Sequence, residues 1–171
     1  LKLGIHIMRG IPRETVTRDL PIAGSSFTAQ DAANTGSTCA WDDHMYGVRG
    51  DTEAGQAWYD SIISKYAEWG VDFIKDDDMM NPYSGGLDYH QSEVEAIYNA
   101  IQKTGRSIAL SLSPGPNQTR DVASLNTLAN MWRTVNDFWD TNGLSSIDDE
   151  FNTAYDWSVT EGITPGHWPD A

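Results

Sequence analysis

Apolar periodicity changes four times from strand-like alternation to helical spacing along these 171 residues. That order predicts an α/β fold, about four central βα units of a (β/α)8 TIM barrel. Two further observations support it. Segments after the strands are long and polar, whereas those after the helices are short and built around Gly70 and Gly105, the asymmetry of a barrel whose strand C-termini carry a site. Strands alternating with helices of this length also require parallel pairing through crossovers, in an open doubly wound sheet or a closed barrel. Four units cannot close a barrel, so the sequence reads as about half of one.

Leu1 to Met8 alternates as a strand, and a Gly-, Thr- and Asp-rich stretch then runs to Asp51 with little periodicity. A loop of that length is usually functional. From Thr52, the positions Ala57, Trp58, Ile62, Ile63, Tyr66 and Trp69 recur three and four apart, predicting an amphipathic helix that Gly70 stops. Val71 to Lys75 reads as a strand, followed by the polar run Asp76 to Gly86. Val94, Ile97, Tyr98 and Ile101 place a helix over His90 to Lys103, closed by Gly105, and Ser107 to Leu112 forms the next strand. Ser113-Pro114-Gly115-Pro116 breaks the chain. A helix over Arg120 to Leu128, a strand at Met131-Trp132-Arg133 and a helix over Ile147 to Val159 complete the series. The chain opens inside an alternating run and stops at Trp168-Pro169-Asp170-Ala171 with no cap or strand end, so both ends read as cut.

Composition narrows the partners. With 39% apolar residues the chain can bury one core, and a formal charge of -14 disfavours nucleic acid or an anionic membrane, which need clustered Lys and Arg. No basic leader with an apolar core and no long apolar span argues for a membrane protein. Cys39 is the single cysteine, which excludes an intrachain disulfide or a Cys-rich zinc site within the sequence.

Two constellations carry candidate chemistry. In Lys75-Asp76-Asp77-Asp78, at a strand end, residues two apart share a face, so Phe73, Lys75 and Asp77 point one way. A carboxylate beside an ammonium stays ionised, the form a glycosidic nucleophile needs. Asp76 and Asp78 then face away or lie in the loop. A solvated acidic turn or a divalent metal site of three carboxylates explains the run as well. In Trp132 to Asp137, again at a strand end, extended backbone sets Arg133 and Asp137 on one side. Arg133 is placed to hold a sugar hydroxyl and Asp137 to shuttle a proton; an i, i+4 salt bridge on a helix is the simpler reading. Both loops lie at one end of a parallel sheet with a strand between them, so the two carboxylates converge. His6 and Cys39 are polar candidates for the pocket, although a satisfied rim histidine and a buried thiol are the commoner outcomes. Trp132, Trp139 and Trp168 fall near strand ends, where rings can stack on a sugar, while core packing is the default for Trp58, Trp69 and Trp157.

Taken together, Leu1-Lys2-Leu3-Gly4-Ile5, Trp69-Gly70-Val71-Asp72-Phe73-Ile74-Lys75-Asp76-Asp77, Trp132-Arg133 through Asp137, and Gly166-His167-Trp168-Pro169-Asp170 resemble glycoside hydrolase family 27. That family holds α-galactosidases and α-N-acetylgalactosaminidases, and Ile7 to Arg13 looks like its bacterial members. The resemblance implies a retaining double displacement without cofactor or metal, with Asp77 on the nucleophile position and Asp137 on the acid/base. Lys75 and Arg133 fall on positions that bind sugar hydroxyls, His6 on a pocket position often occupied by an aromatic, and Cys39 on a pocket cysteine. Ser113 falls where α-galactosidases of the lysosomal type carry a Glu that reads the sugar 2-position and N-acetylgalactosaminidases carry a Ser.

It implies further that residues 1–171 are a partial catalytic barrel, without the first and last strands and the C-terminal β-sandwich. The isolated piece is then expected to be inactive, and the bacterial parent secreted or periplasmic. The expected partner is a galactose-containing oligosaccharide or glycoconjugate, and the expected reaction release of terminal α-D-galactose. An α-N-acetylgalactosaminidase, a non-catalytic sugar-binding relic of the barrel, and a metal-dependent hydrolase using Asp76 to Asp78 are the alternatives.

Overall fold

The computed structural model describes residues 1–80, 89–114, 119–137 and 144–170. The chain runs β1 (Gly4–Met8), β2 (Ile11–Pro12), α1 (Arg13–Thr17), α2 (Ala29–Ala32), β3 (Ala33–Thr38), β4 (Met45–Val48), α3 (Glu53–Glu68), β5 (Phe73–Asp77), α4 (Gln91–Thr104), β6 (Ala109–Leu112), a 3-10 turn (Thr119–Asp121), α5 (Val122–Leu128), β7 (Met131–Arg133), α6 (Leu144–Ser158) and β8 (Trp168–Asp170). Strands β1, β5, β6, β7 and β8 form one sheet in that order, each pair parallel. Four βα units with a helix after each strand are present as expected, and the architecture is that of a partial (β/α)8 barrel.

Local chemistry explains the helix ends. The Thr52 hydroxyl accepts from the Gly55 amide at the start of α3, satisfying one orphan donor of the first turn. Gly105 ends α4 in the left-handed conformation at φ 67°. Helices α3 and α4 pack on each other and on one face of the sheet, burying Tyr59, Ile63, Val94, Ile97 and Ile101 with Ile74, Leu110 and Leu112. Each such aliphatic side chain contributes about 1.5–3 kcal/mol when fully buried. Alternation in β5 follows: Ile74 and Asp76 are buried towards the helices, while Phe73, Lys75 and Asp77 stand half-buried on the other face.

Two places carry structure that no apolar periodicity in the sequence marks. Residues 9–51 form no simple loop, because β2, β4 and β3 make a small antiparallel sheet in that order. β2 is two residues long and β3 reads Ala-Asn-Thr-Gly-Ser-Thr, so neither carries apolar alternation. A fifth parallel strand, β8, lies where no strand end is expected; it holds Pro169 and, among the described residues, pairs with β7. Trp132 is a correction of another kind. It is fully buried and packs its ring 5.7 Å from that of Trp157, so it is core and no sugar platform. Conversely Trp69 is 65% exposed. Trp139 lies outside the described residues.

The opening of α4 makes stability depend on pH. His90 is its N-cap, and burial first, then the Arg9 charge, push the imidazole down to about 4 from 6.5. A helix N-terminus also disfavours a cation. The unfolded chain protonates near 6.5 while the folded form resists, so stability is present above that pH and is lost as pH falls towards 4. Thermal denaturation of the full-length protein between pH 7.5 and pH 4.5 is expected to show this loss, and His90→Asn, which caps without titrating, is expected to flatten it.

Candidate active site

The C-terminal edge of the parallel sheet gathers the candidate residues. Asp77 is the last residue of β5, in register with Met8 at the end of β1. Its two carboxylate oxygens are unequally held. Oδ1 accepts from the Ser113 hydroxyl at 2.8 Å and from the Asp78 amide at 3.0 Å, whereas Oδ2 lies 3.5 Å from His6 Nε2. The Arg9 amide donates to the Asp77 carbonyl, which fixes the backbone of this residue from the neighbouring strand. Oδ2 is therefore the oxygen left available to a reacting atom.

Asp137 stands on the same edge, four residues beyond Arg133 at the end of β7, with β6 between β7 and β5. The Arg133 guanidinium donates to its Oδ1. The two face one side as expected, and they also make the ion pair of the simpler reading, on a strand end and the loop after it and not on a helix. Asp137 keeps a largely exposed carboxylate, as proton exchange with a ligand and water requires.

The expected Lys75–Asp77 contact is absent. The two share a face, but residues two apart on a strand stand roughly 6.5 Å apart with parallel side chains, and the Lys75 side chain makes no hydrogen bond or ion pair with the described residues. His6, cross-strand from Lys75, supplies the basic neighbour. Nor can Asp76, Asp77 and Asp78 share a cation, since Asp76 points to the helices, Asp77 to the cleft and Asp78 to Arg9. Among the described residues, the group close enough to hold an ion is Asp42, Asp43 and His44, an exposed cluster in which His44 Nδ1 already contacts both carboxylates.

A scan against protein-family models matches residues 45–171 to the alpha galactosidase A model, Melibiase_2. The chain belongs to glycoside hydrolase family 27. Alpha-galactosidase 3 of Hypocrea jecorina is 33% identical over 120 residues, 66% of this chain and 18% of that protein. Alpha-N-acetylgalactosaminidase of Gallus gallus is 34% identical over 111 residues, 61% of this chain and 26% of that protein. Among solved structures, a family 27 β-L-arabinopyranosidase of Geobacillus stearothermophilus superposes with a TM-score of 0.90 at 46% identity, covering all of this chain and 38% of its own. The chain thus spans about a fifth to two fifths of the length of these relatives.

Within this family 27 chain, the cleft beside Asp77 has a volume of about 530 Å³, and Met8, Cys39, Trp41, Asp42 and His44 line it. Cys39 is buried near Asp78, and burial is the main reason its pKa is raised, so it stays a neutral thiol. Trp41, Asp42 and His44 escape the sequence reading, although an aromatic beside three polar side chains in a long loop is a legible signal. Ser113 is buried with its hydroxyl on Asp77. A second cavity, of about 590 Å³, lies at the opposite edge beside Arg106, Ser107, Asn130 and His167, before the starts of β6, β7 and β8 and away from both aspartates.

Asp76 is the residue whose environment is least legible. It is fully buried and neither carboxyl oxygen has a hydrogen-bond partner. Burial, then Glu93, push its pKa well above 3.8, against the opposing pull of Arg9. A raised carboxyl pKa means that stability is present below 3.8 and is lost as pH rises towards the folded value. Asp76→Leu is expected to stabilise the protein by about 1–3 kcal/mol at neutral pH, with the gain shrinking towards pH 4, as read by denaturant titration at both pH values.

Proposed function

We propose that this chain carries the catalytic pair of a retaining glycoside hydrolase that releases terminal α-D-galactose. The observation that carries the reading is the unequal anchoring of Asp77 on the same sheet edge as Asp137, with one strand between them. Asp77 Oδ2 attacks the anomeric carbon while Asp137 donates its proton to the departing glycosidic oxygen, giving a glycosyl-Asp77 ester and a free alcohol. Asp137, now a carboxylate, takes a proton from water as that water displaces Asp77 from the sugar. Two inversions return the original configuration. Retention needs the carboxyl groups about 5–5.5 Å apart, against roughly 6.5–9.5 Å for inversion. Lys75, Arg133 and His6 stand on the sugar-facing side of the sheet as hydroxyl ligands, and Trp41 offers an aromatic face at the mouth of the cleft.

A second reading, a β-L-arabinopyranosidase, is favoured by the 46% identity and TM-score of 0.90 to the Geobacillus enzyme. The two substrates share one ring configuration and differ in the exocyclic hydroxymethyl group, so the same pair serves both. An N-acetylgalactosaminidase is the third member of the panel, motivated by the small Ser113 and the chicken relative.

The full-length protein is therefore assayed on nitrophenyl α-D-galactoside, β-L-arabinopyranoside and α-N-acetylgalactosaminide. The α-galactoside is expected to have the highest kcat/KM, with the α-anomer as first product by NMR. Asp77→Asn is expected to remove turnover, and Asp137→Asn to lower it about 10²–10⁴-fold on a substrate with a poor leaving group and far less on a nitrophenyl one. Undiminished hydrolysis by Asp77→Asn rejects the assignment. Preference for the arabinoside replaces the substrate and leaves the mechanism.

A further inference from the structure

The residue after the candidate nucleophile is in an unusual conformation. Asp78 has φ +64°, left-handed backbone that disfavours side chains with a Cβ. Its amide is the one that donates to Asp77 Oδ1. Its own carboxylate faces away from the cleft and takes two N–H bonds from Arg9, Nε at 2.9 Å and Nη2 at 2.7 Å, with 8% of the side chain exposed. Arg9 is 2% exposed and anchored twice more, on Glu93 Oε1 at 2.7 Å and on the Ser37 hydroxyl at 3.0 Å. Glu93 is itself held by the Tyr59 hydroxyl and the Val48 amide.

Every one of these groups lies behind Asp77 rather than in the cleft, and the chain of contacts ends on one atom, Asp77 Oδ1. From this geometry we infer that Arg9 and Asp78 are positioning residues for the nucleophile. The buried fork of Arg9 on the Asp78 carboxylate holds the left-handed turn, the turn aims the Asp78 N–H at Oδ1, and the Arg9 amide pins the Asp77 carbonyl from the other side. With Oδ1 tethered by Asp78 and Ser113, Oδ2 is presented to the sugar in one orientation. Loosening the fork leaves the nucleophile chemically intact and misplaced, and small displacements of a reacting group are costly in rate. The inference rests on Asp77 being the nucleophile.

A double-mutant cycle with chemical rescue tests it in the full-length protein. On the Asp77 background, Asp78→Asn and Arg9→Lys are expected to lower kcat on a nitrophenyl substrate about 10–100-fold with KM changed by less than about threefold. Asp78→Gly accepts the positive φ and loses the carboxylate, so it gives the same result if Asp78→Asn folds poorly. On an Asp77→Gly background, azide replaces the missing carboxylate, forms its own bond to the anomeric carbon and expels the nitrophenolate. Its position does not depend on the turn, so adding Asp78→Asn is expected to change the azide-supported rate by less than about twofold. Equal losses on both backgrounds, or unchanged kcat on the first, overturn the positioning role. An Asp77→Gly variant that folds, retains turnover and ignores azide overturns the nucleophile assignment itself.

Discussion

A single buried guanidinium organises the reactive edge of this molecule. Arg9 leaves the end of β1 and meets Asp78 beyond β5, Glu93 on α4 and Ser37 on β3, joining the parallel sheet, the helix layer and the small antiparallel sheet. Transfer of such charges from water is expensive, and burial pulls both carboxylates towards the neutral form while Arg9 opposes it. The cluster is tolerable because Arg9 Nε and Nη2 both donate to Asp78 Oδ2, and because the Tyr59 hydroxyl and the Val48 amide both donate to Glu93 Oε2. Gly10 makes the placement possible: at φ +96° it turns the chain from Arg9 into β2, and a Cβ there would sit 1.9 Å from the Tyr46 carbonyl oxygen. One network therefore faces the core on one side and Asp77, the proposed nucleophile, on the other.

The two edges of the sheet divide the labour. At the N-terminal edge, Asp72 accepts from Lys2 and the Leu3 amide, and Arg106 binds Asp72 and the Gly70 and Val71 carbonyls. These bonds tie the starts of β1, β5 and β6 together and present no reactive group. At the C-terminal edge the same strands end in Met8, Asp77 and the Ser113 turn, and β7 leads into Asp137. That polarity is what a parallel sheet of βα units produces, because the loops leaving the strands are free to carry function.

Much of this was legible in the sequence, and the reasons for the gaps are physical. The helices over Glu53–Glu68 and Gln91–Thr104 were readable because a one-sided apolar stripe and a cap or terminal glycine agree. The placement of Asp77 and Asp137 on one edge followed from βα order alone. Side-chain partners did not follow, because they depend on neighbouring strands: register brings His6 to Asp77, while Lys75, two residues away in sequence, stays apart. The run Asp76-Asp77-Asp78 looked uniform and is three environments, an unpartnered buried acid, a cleft carboxylate and an ion-paired turn. Only tertiary packing separates them. In residues 9–51, β2 is too short for a periodic signal and β3 carries no apolar alternation, while β8 is three residues long and holds a proline.

The proposed chemistry centres on one oxygen of one aspartate, and a trapped intermediate reports on it most directly. The full-length protein is incubated with a slow fluorinated glycosyl fluoride of galacto configuration, digested and sequenced by mass spectrometry. One covalent glycosyl adduct on the Asp77 carboxylate is the expected result. An adduct on Asp76, Asp78 or Asp137, or turnover that passes through no adduct and yields inverted sugar, would contradict it.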